Sequence, residues 1–551
     1  MPIDITSQLA TATAAVTLQP GAYNITTSVT CIVDLTMLSG AVITIPSGAT
    51  LKLLGSLDAP VAQLFAGAGL VDLNRSRAPV AYGEWWGARI DDGNFDNIPA
   101  FNAAVKAHPV LQLLAGDYYI ASTWKIAQSS RTIIGAGSGV GDPNQPVGAV
   151  PNQGTRIVVS GGTADTMQVG TDTAPANGSN FFVSKVKVAR IRLGRTIVPP
   201  FPAPGNEGAG AAGLRAQFLL SCRFEEIESH EHSTGFYVGG CVATFFDDCY
   251  AFRSLAGTGS GSSVYYGFFL NGRVSFGAAG GNASLYIANC NTTIGGAPGI
   301  ASTIGIGLDG SFADTFITRF EATKVHKGIL AVGVASNPAL AVRQTGNLNL
   351  HITAPVIDQC IDRGIELSGI SNYAAVEIVD PYVALGSLAL AAIHCHDGGG
   401  NVNIQGGQLI GTITNAMAGS NGVGILGEAQ NGIRATGTKI IGCKRPVAFL
   451  TCTGFDIAVD VNSPDQTASQ AAISLIGCSR GRVVSHVRGK AGAFPQGVNL
   501  LGTANARVMI DVTGLDPAAI TGGAANKLVI NGASVSAVGA SGTHFVTGVT
   551  G

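Results

Sequence analysis

Charge is what this chain of 551 residues has least of: Asp, Glu, Lys and Arg together make up 12%, about half the usual share. The formal net charge is -2 and no basic block occurs, which argues against nucleic acid as the main ligand. Mean hydropathy is +0.32, yet no uninterrupted apolar run reaches about 18 residues, so membrane insertion is not expected. The opening "MPIDITSQLA" has neither the basic nor the apolar segment of a secretory signal. No Cys-x-x-Cys occurs, which removes zinc-finger and dithiol motifs. No Gly-x-Ser-x-Gly elbow occurs either, which lowers the case for a serine esterase or deacetylase.

Ten Cys are present, and five sit in one local pattern: "FDDCY", "IANCN", "IDQCI", "IIGCK" and "LIGCS". An isolated Cys after an apolar strand behaves as a small core hydrophobe. Reduced thiols stacked in a core, formed in a reducing cytosol, are the expectation.

What the chain has in quantity is glycine, 76 of 551 residues, roughly double the average. Low charge with abundant Gly suits stacked β architectures, where Gly turns each coil and neighbouring coils hide most of the surface. A loose repeat follows from about residue 200: "GFYVGG", "GFFLNG", "GIGLDG", "GILAVG" and "GIELSG", with weaker copies in "AIHCHDG" and "VGILGEA". A second half-repeat ends strands at Ile227, Cys249, Cys290, Thr323, Cys360 and Tyr382, in steps of 22, 41, 33, 37 and 22 residues. A minimum near 22 with inserted loops predicts an all-β fold, a right-handed parallel β-helix. A leucine-rich horseshoe would keep fixed landmarks, and a propeller would need longer antiparallel hairpins.

The N-terminal third reads differently. Residues 1–80 hold the short strands of a small β head. In residues 81–135, Asp96 or Asn97 caps a helix, Pro99 suits its first turn, and Phe101, Ala104 and Val105 form its apolar face. Such a helix plugs the open end of a solenoid. The β-helix proper is expected over 136–500, with loops at 143–154 and 198–212, and the C-terminal coils over 501–551.

The passage "EWWGA…D…AFNAAV…LLAGDYYI" resembles the pectate-lyase-like start shared by many phage tailspikes, with the family's Gly-Asp-Gly-x-x-Asp-Asp run altered to "DDGNFDN". Farther on, "LDGSFADTFITRFEATKVHKGI", "PVIDQCIDRGIELSG", "VEIVDPYV", "VNIQGGQLIG" and "ANKLVINGASVSAVGASGTHFVTGVTG" are similar to capsule-depolymerase tailspikes, those of Klebsiella phages especially. The likeness runs from about residue 80 to the end. It implies a homotrimer on the virion tail, folded in the host cytoplasm, that acts outside the cell on bacterial surface polysaccharide. With no long virion-anchoring segment expected before residue 80, the chain is expected either to dock on another tail protein or to be a shortened form of a longer one.

Chemistry then directs attention to the acids. The triplet Arg223-Phe224-Glu225 recurs as Arg319-Phe320-Glu321. On the strand-end alignment, the positions two before each marker form a column of Glu225, Asp247, Ala288, Glu321, Asp358 and Asp380. Glycosidic hydrolysis needs two carboxyl groups, one to protonate the leaving oxygen and one to attack or to activate water. Asp247, Glu321, Glu225 and Asp358 are the candidate catalytic acids, and stacking would raise the pKa of one of them. Arg319, Tyr286, Lys324, His326, Asp380 and Arg223 are the candidate substrate-binding residues, Tyr286 as a platform for a pyranose face. A lyase is the rival chemistry, with Lys324, His326 or Tyr250 as base and Arg319 neutralising a uronate. A non-catalytic glycan adhesin is the rival from another class. The pairs "HEH" at 230–232 and "HCHD" at 394–397 put two imidazoles on one strand face, but no third ligand follows at metal spacing. "GAGSGVG" at 135–141 lacks the helix and acid of a dinucleotide loop. Neither metal nor cofactor is expected.

Overall fold

The computed structural model describes residues 1–138, 154–173, 182–202, 210–254, 264–272, 282–295, 302–310, 312–333, 349–370, 375–398, 400–411, 422–463, 472–489, 498–499, 503, 507–513, 520–521, 527–531 and 544–547. The loops expected at 143–154 and 198–212, the end of the stretch at 135–141 and most of the region 501–551 fall wholly or partly outside these residues. No described helix is long and apolar enough to cross a membrane. The chain forms two compact units: Met1–Thr173 with Ser179–Pro199 and Gly210–Gly235, and Ala174–Gly178 with Pro200–Ala209 and Phe236–Gly551.

The first unit begins with three short parallel sheets. One holds Ile3–Asp4, Gly21–Asn24, Ala41–Thr44 and Phe65–Ala66; one holds Val16–Leu18, Leu35–Met37 and Leu57–Asp58; one holds Val29–Cys31, Thr50–Leu53 and Leu70–Asp72. The expected β head is therefore itself a small stack of parallel coils. Alternate residues point inward, as the period of two requires, and Val29, Cys31, Leu51 and Leu53 are buried while Thr30 is exposed. The expected helix spans Ile98–Ala107 with Asn97 at its N-cap position and Phe101, Ala104 and Val105 buried. Asp96 Oδ1 accepts the Ile98 N–H at 3.2 Å, satisfying one donor left open at the helix start. Phe101 packs on Tyr118 and Trp124 of the coils that follow, at 5.3 and 4.7 Å between rings. At its other end, Ala107 accepts the Leu73 N–H at 2.8 Å, so the helix also ties those coils to the head.

The second unit is a parallel β-helix. One sheet stacks Val264–Gly272, Ser302–Gly310, Lys327–Val332, Arg363–Ser368, Ala391–His396, Val423–Glu428, Arg445–Leu450 and Ile473–Ile476 in parallel. Its register confirms the Gly-apolar repeat: Ile306, Ile329, Ile365, Ile393, Ile425, Val447 and Ile473 pair in succession. All seven are fully buried. The Gly that precedes the Ile is needed for space: a Cβ at Gly328 would lie 2.6 Å from Ile357 Cδ1 and 2.7 Å from the Gly364 carbonyl.

The other sheet receives two short strands from each coil, such as Phe312–Thr318 with Glu321–Thr323 and Asn349–Thr353 with Val356–Cys360. Between them the chain turns at one left-handed residue: Asp248, Asn289, Arg319, Ala354 and Asp380, with φ of 53°, 53°, 51°, 49° and 49°. Left-handed φ is uncommon for non-Gly residues, and here a ladder sustains it. Each corner N–H donates to the strand-end carbonyl of the next coil, at 2.7–3.0 Å from Asp248 to Asp380. All ten Cys are buried thiols outside any disulfide, as expected of core thiols.

Candidate functional site

Register decides which of the expected site residues meet. Arg223 and Glu225 belong to the first unit, where Glu225 pairs with Lys187 Nζ at 2.5 Å and with Arg223 at 3.4 Å. The other eight belong to the second. Asp247 does pair with Ala288, but that row continues through Thr318, Thr353 and Val379. Glu321, Asp358 and Asp380 stand three, five and one positions beyond it (321 − 318, 358 − 353, 380 − 379). The single acid column is therefore not formed, because the strand-end markers fall at two different corners of the coil. Cys249 and Cys290 follow the first left-handed corner, whereas Cys360 follows a second one at Gln359, φ 55°.

Two of the acids still share a facet. Glu321 pairs with Val356 and Thr323 with Asp358, so Glu321 and Asp358 are diagonal neighbours on adjacent coils. The intervening Ala322 and Ile357 are fully buried, which points both carboxylates outward. Strand spacing and rise put their Cα atoms about 8 Å apart. Arg319 and Asp380 are exposed at the first corner and Lys324 at the second. Asp247 lies on the strand before the first corner and accepts a hydrogen bond from Asn289 Nδ2 at 2.8 Å. Tyr286 is stacked between Phe245 and Phe316, at 4.5 and 5.0 Å, so it offers its edge and hydroxyl rather than a ring face. His326 Nδ1 accepts the Thr303 N–H at 3.1 Å, which commits the lone pair a catalytic base would use. Burial, with Lys327 nearby, moves its pKa down against the pull of Asp362.

Around the second corner the same coils carry a charged network that the sequence reading did not assemble. Lys327 Nζ lies 2.6 Å from Glu366 Oε2, and Arg363 pairs with Asp362 at 2.5 Å. Arg363 Nε donates to His394 Nδ1 at 2.8 Å, and His394 Nε2 meets Glu428 Oε2 at 3.1 Å. His396 bridges Glu366 at 3.0 Å and Asp397 at 2.7 Å, and its ring stacks on His394 at 4.4 Å. The signal was present in the outward positions of repeats already aligned, "GIELSG", "AIHCHDG" and "VGILGEA", since Glu366 pairs with His394 and His396 with Glu428.

Glu366, His394 and His396 bring donor atoms within 4.8 Å of one another. Their chemistry suits protons better than a dication. The Arg363 donor fixes the His394 proton on Nε2, and Lys327 already occupies Glu366. Burial would raise the Glu366 pKa, but the His396 hydrogen bond and the Lys327 and Arg363 charges hold it at about 2. Burial, then His396 and Arg363, push His394 down to about 4.

A pH dependence follows from these shifts. Between pH 6.5 and about 4, unfolded His394 takes up a proton that the folded residue refuses, so its contribution to stability falls as pH falls. Glu366 contributes above the ordinary carboxylate range, and its share is lost as pH drops toward 2. His396, held above its usual value by Glu366, acts oppositely and loses its contribution as pH rises through its folded pKa. Calorimetry should show Tm dropping from pH 6.5 to 4, with a shallower slope in His394→Gln. Equal slopes would contradict the assignment of that drop to His394.

No protein-family model and no curated relative matches the chain. Solved structures do. The tailspike protein of E. coli bacteriophage HK620 in complex with pentasaccharide is 13% identical, with a TM-score of 0.53 over 80% of this chain and 76% of that one. A mutant of the same tailspike in complex with hexasaccharide is 13% identical, with a TM-score of 0.53 over 78% and 75%. A further mutant is 12% identical, with a TM-score of 0.55 over 78% and 75%. At such identity the likeness is one of fold, and the chain has the parallel β-helix fold of phage tailspikes.

Proposed function

We propose that the protein is a tailspike-type depolymerase that hydrolyses a bacterial surface polysaccharide within its chain. The observation that carries this reading is the outward pair Glu321 and Asp358 on adjacent coils. Inverting glycosidases hold their carboxyl groups about 6.5–9.5 Å apart to leave room for water, and two outward side chains on Cα atoms about 8 Å apart can reach that range. One carboxyl protonates the departing glycosidic oxygen while the other takes a proton from the attacking water. Arg319 and Lys324, at the corners that bound the strand, bind and orient the glycan. The complexes of the HK620 tailspike with penta- and hexasaccharide support a glycan as ligand. A homotrimer on the virion tail belongs to the same reading.

Incubation with purified capsular polysaccharide tests it. Viscosity should fall and reducing ends should appear without a new absorbance from unsaturated uronates. That absorbance would make the protein a lyase, and binding with undiminished viscosity would make it an adhesin.

A further inference from the structure

The first sheet of the second unit has a gap in its outward row. Phe269, Gly307, Leu330 and Glu366 pair in succession on adjacent coils, and Gly307 contributes no side chain. Beside that row Asp309 pairs with Val332. The gap is a hollow of about 160 Å³ lined by Tyr266, Phe269, Gly307, Leu308, Asp309, Leu330 and Val332. Tyr266 leans across it, its ring 4.7 Å from that of Phe269 and tilted by 47°. A Cβ on Gly307 would lie 2.3 Å from Tyr266 Cε1, so a side chain there would drive the ring out of place.

Sites for whole drug-sized ligands run to about 300–1,000 Å³, so this one is sized for a single group. Its wall is aromatic and aliphatic, with one carboxylate. The strand that lines the hollow with Leu330 and Val332 also carries Lys327, and Glu366 stands beside Leu330 on the following coil, so the charged network adjoins the hollow. We infer that it is a glycan subsite that takes a methyl-bearing substituent of a sugar, the methyl against Tyr266, Phe269, Leu330 and Val332, and a neighbouring hydroxyl or amide N–H donating to Asp309. Apolar lining selects the methyl, and the carboxylate selects a donor beside it. The inference rests on the glycan-binding reading above. Acetamido and 6-deoxy sugars both supply such a methyl.

Saturation-transfer NMR on the full chain separates the sources. The probes are free N-acetylglucosamine, a free 6-deoxyhexose and free glucose, the last of which carries no methyl. The expected result is strongest saturation at the methyl of one of the first two, with affinity at least about fourfold above glucose, as burial of one methyl gives. Gly307→Val fills the hollow, and Val332→Asn makes its wall polar while leaving Gly307 and Tyr266 as they are. Both should abolish the preference while thermal unfolding stays cooperative. Equal saturation of all three probes, or a preference unchanged in Val332→Asn, overturns the subsite. Methyl-selective binding in a protein that leaves capsule intact would retire the depolymerase and keep the subsite. Scission without methyl selectivity would do the reverse.

Discussion

Replacing Glu321 with Gln, or Asp358 with Asn, should lower polysaccharide scission by about 10²–10⁴-fold, the usual worth of a general acid or base. Each amide keeps the size of the side chain it replaces and removes only its proton chemistry. Both side chains point outward from short strands whose inward neighbours Ala322 and Ile357 are fully buried, so Tm should stay close to that of the wild type. Residues acting as a unit lose activity together. The double variant should therefore be little slower than either single one. Scission by Glu321→Gln at the wild-type rate would move the chemistry elsewhere on the coils, with Glu366 and Glu428 next to test.

Phe268→Ala should produce the largest loss of stability, about 3–5 kcal/mol. Phe268 is fully buried, stacks on Phe236 at 4.5 Å and 10°, and meets Phe246 and Phe320 edge-on at 6.3 and 6.1 Å. Three rings border the cavity its removal leaves, and strands tied by ladder hydrogen bonds on both sides cannot collapse into it. Chemical denaturation of the variant checks this. A midpoint within error of wild type would mean that the interior of the second unit is not packed around that ring.

The two halves of the coil differ in how far the sequence discloses them. In the Gly-apolar half, one buried Ile or Val recurs in each coil, behind a crowded Gly at 305, 328, 364 and 424 and behind Ala392, Pro446 and Ala472 elsewhere, so the inward apolar position sets the alignment. The alignment read from "GIGLDG" to "VGILGEA" therefore matches the register. In the other half, the inward residue after the first corner is Cys249, Cys290, Phe320, Pro355 or Pro381. Cys also serves after the second corner, at Cys360. A small buried thiol fits either place, so it marks a corner without saying which. That ambiguity displaced Glu321, Asp358 and Asp380 from the row of Asp247.

The charged network shows the opposite case. Glu366, His394, His396 and Glu428 occupy outward positions of the half that aligned correctly, and stacking the repeats would have joined them. Lys327 and Arg363 also pair across coils, so the ion pairs were implicit in the same alignment. Tyr286 illustrates a limit of another kind. Its place on an outward strand was legible, and aligning Cys249 with Cys290 already set Phe245 beside it, but Phe316 covers the other face from a coil that the marker Thr323 put out of register.

The most direct test of the central claim is a crystal structure of Glu321→Gln soaked with an oligosaccharide released by the wild-type protein. The account predicts sugar lying across the coils at 318–332 and 349–368, with a glycosidic oxygen between residues 321 and 358. Sugar bound on another facet, with both positions facing bulk solvent, would contradict it.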